Sequence, residues 1–427
     1  MLSALATILL AAIPAAAASP APAPPAELPP AVYRERRERV LRAIDPCVAV
    51  LATQGETSGV TEDYRQDGDF LWLTGLGEGD AWVLLAPRAK YDRTVLFLRS
   101  RDPERERWTG PREPMSPALL DRYGVDKVLR GRPDRAAIGA AMGTECVAVI
   151  APVGDLKDER PDAALSRQLA SAVGARLVYK RDLIAGLRAA HEPQEVARME
   201  RALEITRAGH EAAARATVPG VTERDVQTKI EYAFFSNGAT GLSYGSIVGS
   251  GGNGAVLHWT HNDRALKAGD LVVVDAAAEY GRYASDVTRT YPVSGRFTDE
   301  QAKAYRAVYQ AQEDIFAAVK PGVSMADLQK AAEASLKRAG YLEAFIHGFG
   351  HFVGLDVHDA GRYDLPLPVG AIFTVEPGVY LPDRGFGVRI EDEVLVTETG
   401  YRLLSAKIPR KLEDVEAWVA AARRRTE

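Results

Sequence analysis

From Ala31 to about Leu187, short apolar runs are separated by turn residues: Val48–Ala52, Phe70–Leu73, Trp82–Ala86, Val95–Leu98 and Cys146–Ala151. Each has the length and the bounds of a strand, and helix-like stretches such as Ala136–Met142 lie between some of them. The pattern predicts a mixed α/β domain over residues 31–187. Beyond it the chain repeats itself. Pro219-Gly220-Val221-Thr222, with Asp225, recurs as Pro321-Gly322-Val323-Ser324, with Asp327, at an offset of 102. In each copy Pro-Gly ends one helix, and a Ser or Thr N-cap with an acid three residues on starts the next. Gly238 and Gly340, at the same offset, are predicted C-caps. Pro193 at a first helical position opens the long amphipathic helix of the first copy, and Thr298 with Gln301 opens that of the second.

After each helix pair comes an extended segment that alternates apolar with polar residues and turns midway, as an antiparallel hairpin does. Leu271–Val293 carries Asp275 and Asp286; Ile372–Thr397 carries Glu376 and Glu391. The acids are offset by 101 and 105 positions, close to the offset of the helices. Two copies facing each other across a pseudo-twofold axis would bring four carboxylates into one cleft. Three histidines, His347, His351 and His358, lie between the pairs along the chain. Taken singly, each acid reads as readily as half of a hairpin salt bridge, so the matched offsets carry the argument.

An isolated ionised carboxylate is very costly to bury, so four share a pocket only if cations hold them there. Asp275 makes the point locally, standing between Val272-Val273-Val274 and Ala276-Ala277-Ala278. Oxygen-rich sites with one imidazole suit Mn, Co, Zn or Mg, and five ligands can hold two ions if some carboxylates bridge. Paired ions roughly 3.5–4 Å apart activate water and polarise a carbonyl, which is hydrolysis without a covalent intermediate. All seven histidines fall between His191 and His358, so the second domain holds most metal and proton-transfer candidates. His191, His210 and His261 match nothing in the acid constellation and are expected on the surface.

Composition narrows the picture. The chain has 427 residues, 46% of them hydrophobic and 26% charged, which is room for two globular domains. A net charge of −5 leaves no footprint for nucleic acid, and Arg34 to Arg42 is interleaved with Glu. Leu5–Ile13 is apolar and is followed by Ala16-Ala17-Ala18, a signal-peptide pattern over residues 1–18; a Pro/Ala-rich linker follows over 19–30. The n-region has no Lys or Arg, and the apolar run is short for a membrane span. Cys47 and Cys146 each open Cys-Val-Ala-Val. An exported protein could pair them, but both sit in apolar runs and two free buried thiols are the expectation.

Three familiar motifs fail on context. Gly249-Ser250-Gly251-Gly252-Asn253-Gly254 fits a dinucleotide fingerprint, which needs a helix at the last glycine, whereas 255–259 is expected to continue as a strand. Gly241-Leu242-Ser243-Tyr244-Gly245 fits a nucleophile elbow but follows a helix and leads into a strand, the reverse of what that turn requires. His210-Glu211 begins a zincin signature, yet position 214 is Ala.

His351-Phe352-Val353-Gly354-Leu355-Asp356-Val357-His358-Asp359, Thr374-Val375-Glu376-Pro377-Gly378 and Val388-Arg389-Ile390-Glu391-Asp392 resemble the signature of aminopeptidase P and prolidase, within the pita-bread metallopeptidases. Ser285 to Thr290 and Ile247 to Gly251 extend the match. Asp63 through Leu76 resembles the aminopeptidase P N-terminal domain in particular. The resemblance implies a pita-bread, pseudo-twofold α+β catalytic domain over 188–427. It implies that Asp275 binds one ion in bidentate fashion, that Asp286 and Glu391 bridge two, and that His351 and Glu376 complete the second. Glu376 would also be the general base. His258 and His358 would contact substrate or shuttle protons, with His347 nearby and Arg389 braced against the cluster. A glycine usual two residues after the first metal aspartate is Ala277 here, which is expected to alter the backbone behind that ligand.

The reading is an exported, periplasmic or secreted hydrolase (cytoplasmic if the leader is not functional) that removes an N-terminal residue preceding proline. It would use two divalent ions, Mn²⁺ foremost, with Co²⁺ or Zn²⁺ as alternatives. Expected partners are peptides with proline in second position and further copies of the chain in a dimer or tetramer. Nucleic acid and stable membrane insertion after cleavage are not expected. The alternatives are a prolidase confined to Xaa-Pro dipeptides and a non-catalytic peptide-binding pita-bread protein. A metal-free creatinase-like hydrolase would not be expected to keep all five ligands.

Overall fold

The computed structural model describes residues 25–53, 64–151 and 160–424. The expected leader and the linker before Pro25 lie outside the described residues. The N-terminal unit is built on one mixed six-stranded sheet, in the order Lys127–Arg130, Thr94–Leu98, Trp82–Leu85, Val48–Ala52, Cys146–Val149, Arg176–Tyr179. Ala49 and Leu51 face helices Pro30–Ile44 and Gly68–Thr74, while Val48, Val50 and Ala52 face helices Asp134–Ala141 and Pro161–Val173. A strand covered on both faces needs apolar residues at every position, which is why these strands read as unbroken runs.

Two expectations are corrected here. Phe70–Leu73 lies in a helix, Gly68–Thr74, because Asp67 caps its start by accepting from the Phe70 amide at 3.1 Å and Gly75 ends it at φ 71°. Cys47 and Cys146 are joined as a disulfide with their Cα atoms 4.6 Å apart. The parallel register that sets Val48 opposite Val147 brings the two preceding residues side by side, a pairing that no local sequence pattern displays.

The C-terminal unit holds the repeat. Helices Pro193–Ala216 and Glu223–Ser236 form the first pair, Asp299–Ala318 and Met325–Ala339 the second. Thr222, Thr298 and Ser324 cap as predicted. Gly340 is a C-cap, whereas Gly238 falls one residue beyond its cap, Asn237. The Pro-Gly turns match in detail, with Gly220 donating to the Leu266 carbonyl at 2.9 Å and Gly322 to that of Leu367 at 3.0 Å. Their φ angles of 87° and 86° require glycine.

Both expected hairpins form. Leu271–Asp275 pairs antiparallel with Thr288–Pro292, and Ile372–Val375 with Asp392–Val396. One hydrophobic core runs through both halves. Residues 255–259 are not a strand: the chain curls into a 3-10 turn at Gly251–Ala255. The cause is the buried Glu223 carboxylate, which accepts from the Ser250 and Arg264 amides, Asn253 Nδ2 and Trp259 Nε1. No α-helix begins at Gly254, so the fingerprint still fails.

The units meet at an ionic seam. Arg188 donates to Asp69 at 2.6 Å from the N-terminal unit and to Asp356 and Asp359 on the loop that carries His358. Among the described residues no helix is long and apolar enough to cross a membrane. Thiol counting in denaturant without reductant is expected to find no free cysteine. Cys47→Ser is expected to lower the unfolding free energy by roughly 2–4 kcal/mol, because it reopens a long loop in the unfolded chain; two titratable thiols in the oxidised protein would contradict the pairing.

Candidate metal centre

The two hairpins point their acids into one cavity of about 460 Å³, lined by Asp275, Asp286, His351, Glu376 and Glu391 together with His258, His347, His358 and Arg389. All nine residues singled out from the sequence meet there. Asp286, His351 and Glu391 offer ligand atoms within 4.8 Å of one another. His351 Nε2 sits 3.4 Å from Asp286 and 3.5 Å from Glu376. Its Nδ1 donates to the Phe352 carbonyl at 3.0 Å, which aims Nε2 at the carboxylates.

Neighbours fix each acid. Arg389 donates from Nη2 to Asp275 at 2.6 Å and from Nη1 to Tyr380 at 2.8 Å. Thr288 Oγ1 donates to Glu391 at 2.7 Å, and Glu393 accepts from the Asp286 amide at 2.6 Å. The Tyr244 hydroxyl lies 2.6 Å from Asp275 and 2.5 Å from Asp286. His347 uses both ring nitrogens: Nδ1 donates to the Gly348 carbonyl at 2.8 Å and Nε2 accepts from Tyr380 at 2.9 Å. Burial, with Arg389 nearby, holds this imidazole down to about 4, so it is neutral. His358 stands at the mouth, its ring 4.2 Å from that of His351.

The donor set fits divalent cations. Burial and the charges of Asp286, Glu376 and Asp275 push the Glu391 carboxyl well above its usual range, which marks a pocket short of positive charge. Among the described residues Arg389 is the one guanidinium paired with a carboxylate of this cluster, that of Asp275, and it cannot neutralise all four.

Family models bear on the same residues. One for metallopeptidase family M24 matches residues 197–398, and one for the aminopeptidase P N-terminal domain matches 33–132. A Xaa-Pro aminopeptidase of Escherichia coli (strain K12) is 34% identical, over 92% of this chain and 98% of its own. One from Haemophilus influenzae is 32% identical, over 90% and 96%. This chain belongs to the aminopeptidase P family of M24 metallopeptidases. A solved structure of Pseudomonas aeruginosa aminopeptidase PepP superimposes at a TM-score of 0.83, with 34% identity over 94% of this chain and 100% of that one. Another, of zinc-substituted E. coli aminopeptidase P with product, does so at 0.82 and 30% identity.

Sequence reasoning missed Tyr244, Thr288, Glu393 and Tyr380 in this aminopeptidase P site. Strand alternation points to two of them, since Thr288 follows Asp286 and Glu393 follows Glu391 at the two-residue period of one sheet face. Tyr244 had no such signal; it lies inside the rejected elbow motif. His210 is a correction. It is fully buried, because its helix is packed between the first hairpin and its partner helix, where a Cβ on Gly209 would fall 2.1 Å from the Phe234 ring. His191 is half-buried beside Gly354 and Asp359, while His261 is exposed. Ala277 does not have a positive φ, so an alanine sits there without backbone strain.

Without metal, burial lifts the Glu376 carboxyl to about 7 from 4.5. Burial opposes charge on His351, but its bond to Asp286 and the charges of Asp286 and Glu376 outweigh that and raise it to about 9 from 6.5. A group raised on folding contributes stability that is fully present below its ordinary value and is lost as pH climbs through the folded one. Below pH 6.5 the buried neutral His347 and His210, both held below their ordinary value, act in the opposite sense, so chelated protein is expected to melt at progressively lower temperature from pH 6.5 to pH 9. Metal binding displaces these protons, so added Mn²⁺ is expected to restore more stability at the alkaline end. A melting profile of chelated protein that rises with pH over that range would contradict this.

Proposed function

We propose that this chain is an exported, dinuclear Xaa-Pro aminopeptidase, and the observation that carries the reading is the convergence of five acid and imidazole ligands in one cavity. Asp275, Asp286, His351, Glu376 and Glu391 would hold two divalent ions, with Mn²⁺ the first choice and Co²⁺ or Zn²⁺ the alternatives. When bound, these ions supply positive charge that acidifies water and polarises the scissile carbonyl. Glu376 would take the proton of the attacking water as the water oxygen bonds to the carbonyl carbon. The carbon–nitrogen bond then breaks and the proline nitrogen takes up a proton. His258 and His358, exposed at the cavity mouth, are suited to position the peptide and to pass that proton. Arg389 and Tyr244 keep Asp275 and Asp286 in place, and His347 steadies Tyr380.

Domain limits of 31–187 and 188–427 go with this reading, as do a leader over 1–18 and a linker over 19–30. The Cys47–Cys146 disulfide supports an oxidising compartment, periplasmic or secreted. Assembly into a dimer or tetramer belongs to the same reading.

Purified enzyme with Mn²⁺ is expected to cleave both Xaa-Pro and Xaa-Pro-Yaa-Yaa, to spare N-acetylated peptides and to act weakly on Xaa-Ala. Cleavage of the dipeptide alone would make it a prolidase, and cleavage of neither would remove both readings. Asp286→Asn is expected to abolish hydrolysis, and Glu376→Gln to reduce it by roughly 10²- to 10⁴-fold even with metal bound. Full activity after exhaustive chelation would sink the metal-dependent mechanism. Mass spectrometry of protein from its native host should find a mature N-terminus near Ser19; intact Met1 on most molecules would remove the export proposal.

A further inference from the structure

The long first helix of each half reaches its hairpin with one buried side chain. Helix Pro193–Ala216 contributes His210 and helix Asp299–Ala318 contributes Gln312, separated by 102 positions, the offset that also relates the two Pro-Gly turns. Both side chains are fully buried. His210 Nε2 lies 3.2 Å from the carbonyl oxygens of Ala276 and Val287, the residues that follow Asp275 and Asp286. Gln312 Nε2 donates to the carbonyls of Val375 at 3.0 Å and Ile390 at 3.2 Å, the residues that precede Glu376 and Glu391.

The chemistry of the two contacts matches as well. Carbonyl oxygens only accept, so His210 carries its proton on Nε2, and Nδ1 accepts from the Tyr291 hydroxyl at 3.0 Å. Burial, with Arg289 nearby, holds this imidazole down to about 3, so it is a fixed neutral donor. Gln312 is aimed in the same manner: its Oε1 accepts from Arg410 at 3.2 Å, while its amide also donates to Asp392 at 2.9 Å.

Both contacts fall where strand pairing ends. The first ladder stops at Thr288 opposite Asp275, and the next bond, Ala276 amide to Val287 carbonyl, has lengthened to 3.4 Å. The second stops at Val375 opposite Asp392. We propose that His210 and Gln312 are paired positioning residues, each clamping the two strands of one hairpin from behind and so setting the separation of the two acids it presents to the metal pair. The inference rests on the reading of those acids as metal ligands.

The test uses full-length enzyme with His210→Met and Gln312→Met, which keep an unbranched side chain and remove the donor, and His210→Gln, which puts back the amide that the other half uses. Mn²⁺ affinity is measured by competition with a chelator, beside metal-free melting and the split of kcat from KM. Each Met variant is expected to bind Mn²⁺ roughly 10- to 100-fold more weakly, the cost usual for a lost outer partner of a metal ligand. Its kcat should fall more than its KM changes, and His210→Gln should recover most of the affinity. Met variants that melt earlier yet bind Mn²⁺ as tightly as the parent would overturn the proposal, as would a Gln variant no better than Met. If the Met variants do not fold, Tyr291→Phe removes only the hydroxyl that aims His210. A several-fold loss of Mn²⁺ affinity supports the proposal there, and an unchanged affinity overturns it. Failure of the parent itself to bind Mn²⁺ would instead strike the metal reading beneath it.

Discussion

Four carboxylates that point at one spot repel one another, and burial strengthens the repulsion because water no longer screens it. Asp275, Asp286 and Glu391 are all buried, and Glu376 lies in the same cavity. A fold that holds them together without cations stores electrostatic free energy there, visible as carboxyl groups driven toward their neutral forms. The same strain favours divalent cations there, since positive charge converts the repulsion into attraction. Much of the C-terminal unit serves to keep those acids from relaxing apart.

The repeat answers that demand economically in structural terms. Each half supplies a helix pair as a buttress and a hairpin as a two-pronged holder, and the halves share one core. The copies are not identical. The first presents two short aspartates just before the clamped carbonyls, whereas the second presents two longer glutamates just after them. Side-chain length and register thus change together between the two halves. The N-terminal unit adds a second kind of support: through Asp69 and Arg188 it anchors the loop that ends at Asp359, one residue past His358. That loop is short of regular backbone pairing of its own, so an ionic anchor from the other unit does what a strand ladder does for the acids.

Local rules made much of this molecule readable. Caps at Thr222, Thr298 and Ser324, Pro-Gly turns with left-handed glycines and two-residue alternation around Glu391 are properties of a few adjacent residues, and they hold wherever the chain lies in space. The internal repeat then carried that local information to the level of architecture, because equal offsets imply equal substructures. The matched acids followed from it, and so did their need for cations. Phe70–Leu73 shows the limit of a short apolar run: nothing in its hydrophobicity distinguishes a strand from a buried helix, and the decision lay with Asp67 and Gly75 on either side.

What the sequence determined by itself, then, was the repeated elements of the C-terminal unit, the pairing of its halves and the identity of the charged side chains that have to meet. Tertiary structure alone decided which neutral partners stand behind them. The Cys47–Cys146 bond depends on parallel strands that bring together cysteines 99 positions apart. Tyr244 reaches two aspartates from a segment of no regular pattern. His210 looked like a polar residue on a helix surface until a hairpin covered it. The physical reason is common to all three: a buried charge announces itself because burying it unpaired costs so much. A neutral hydrogen-bonding group is tolerated in many places, and its role exists only once the chain has brought a partner within about 3 Å.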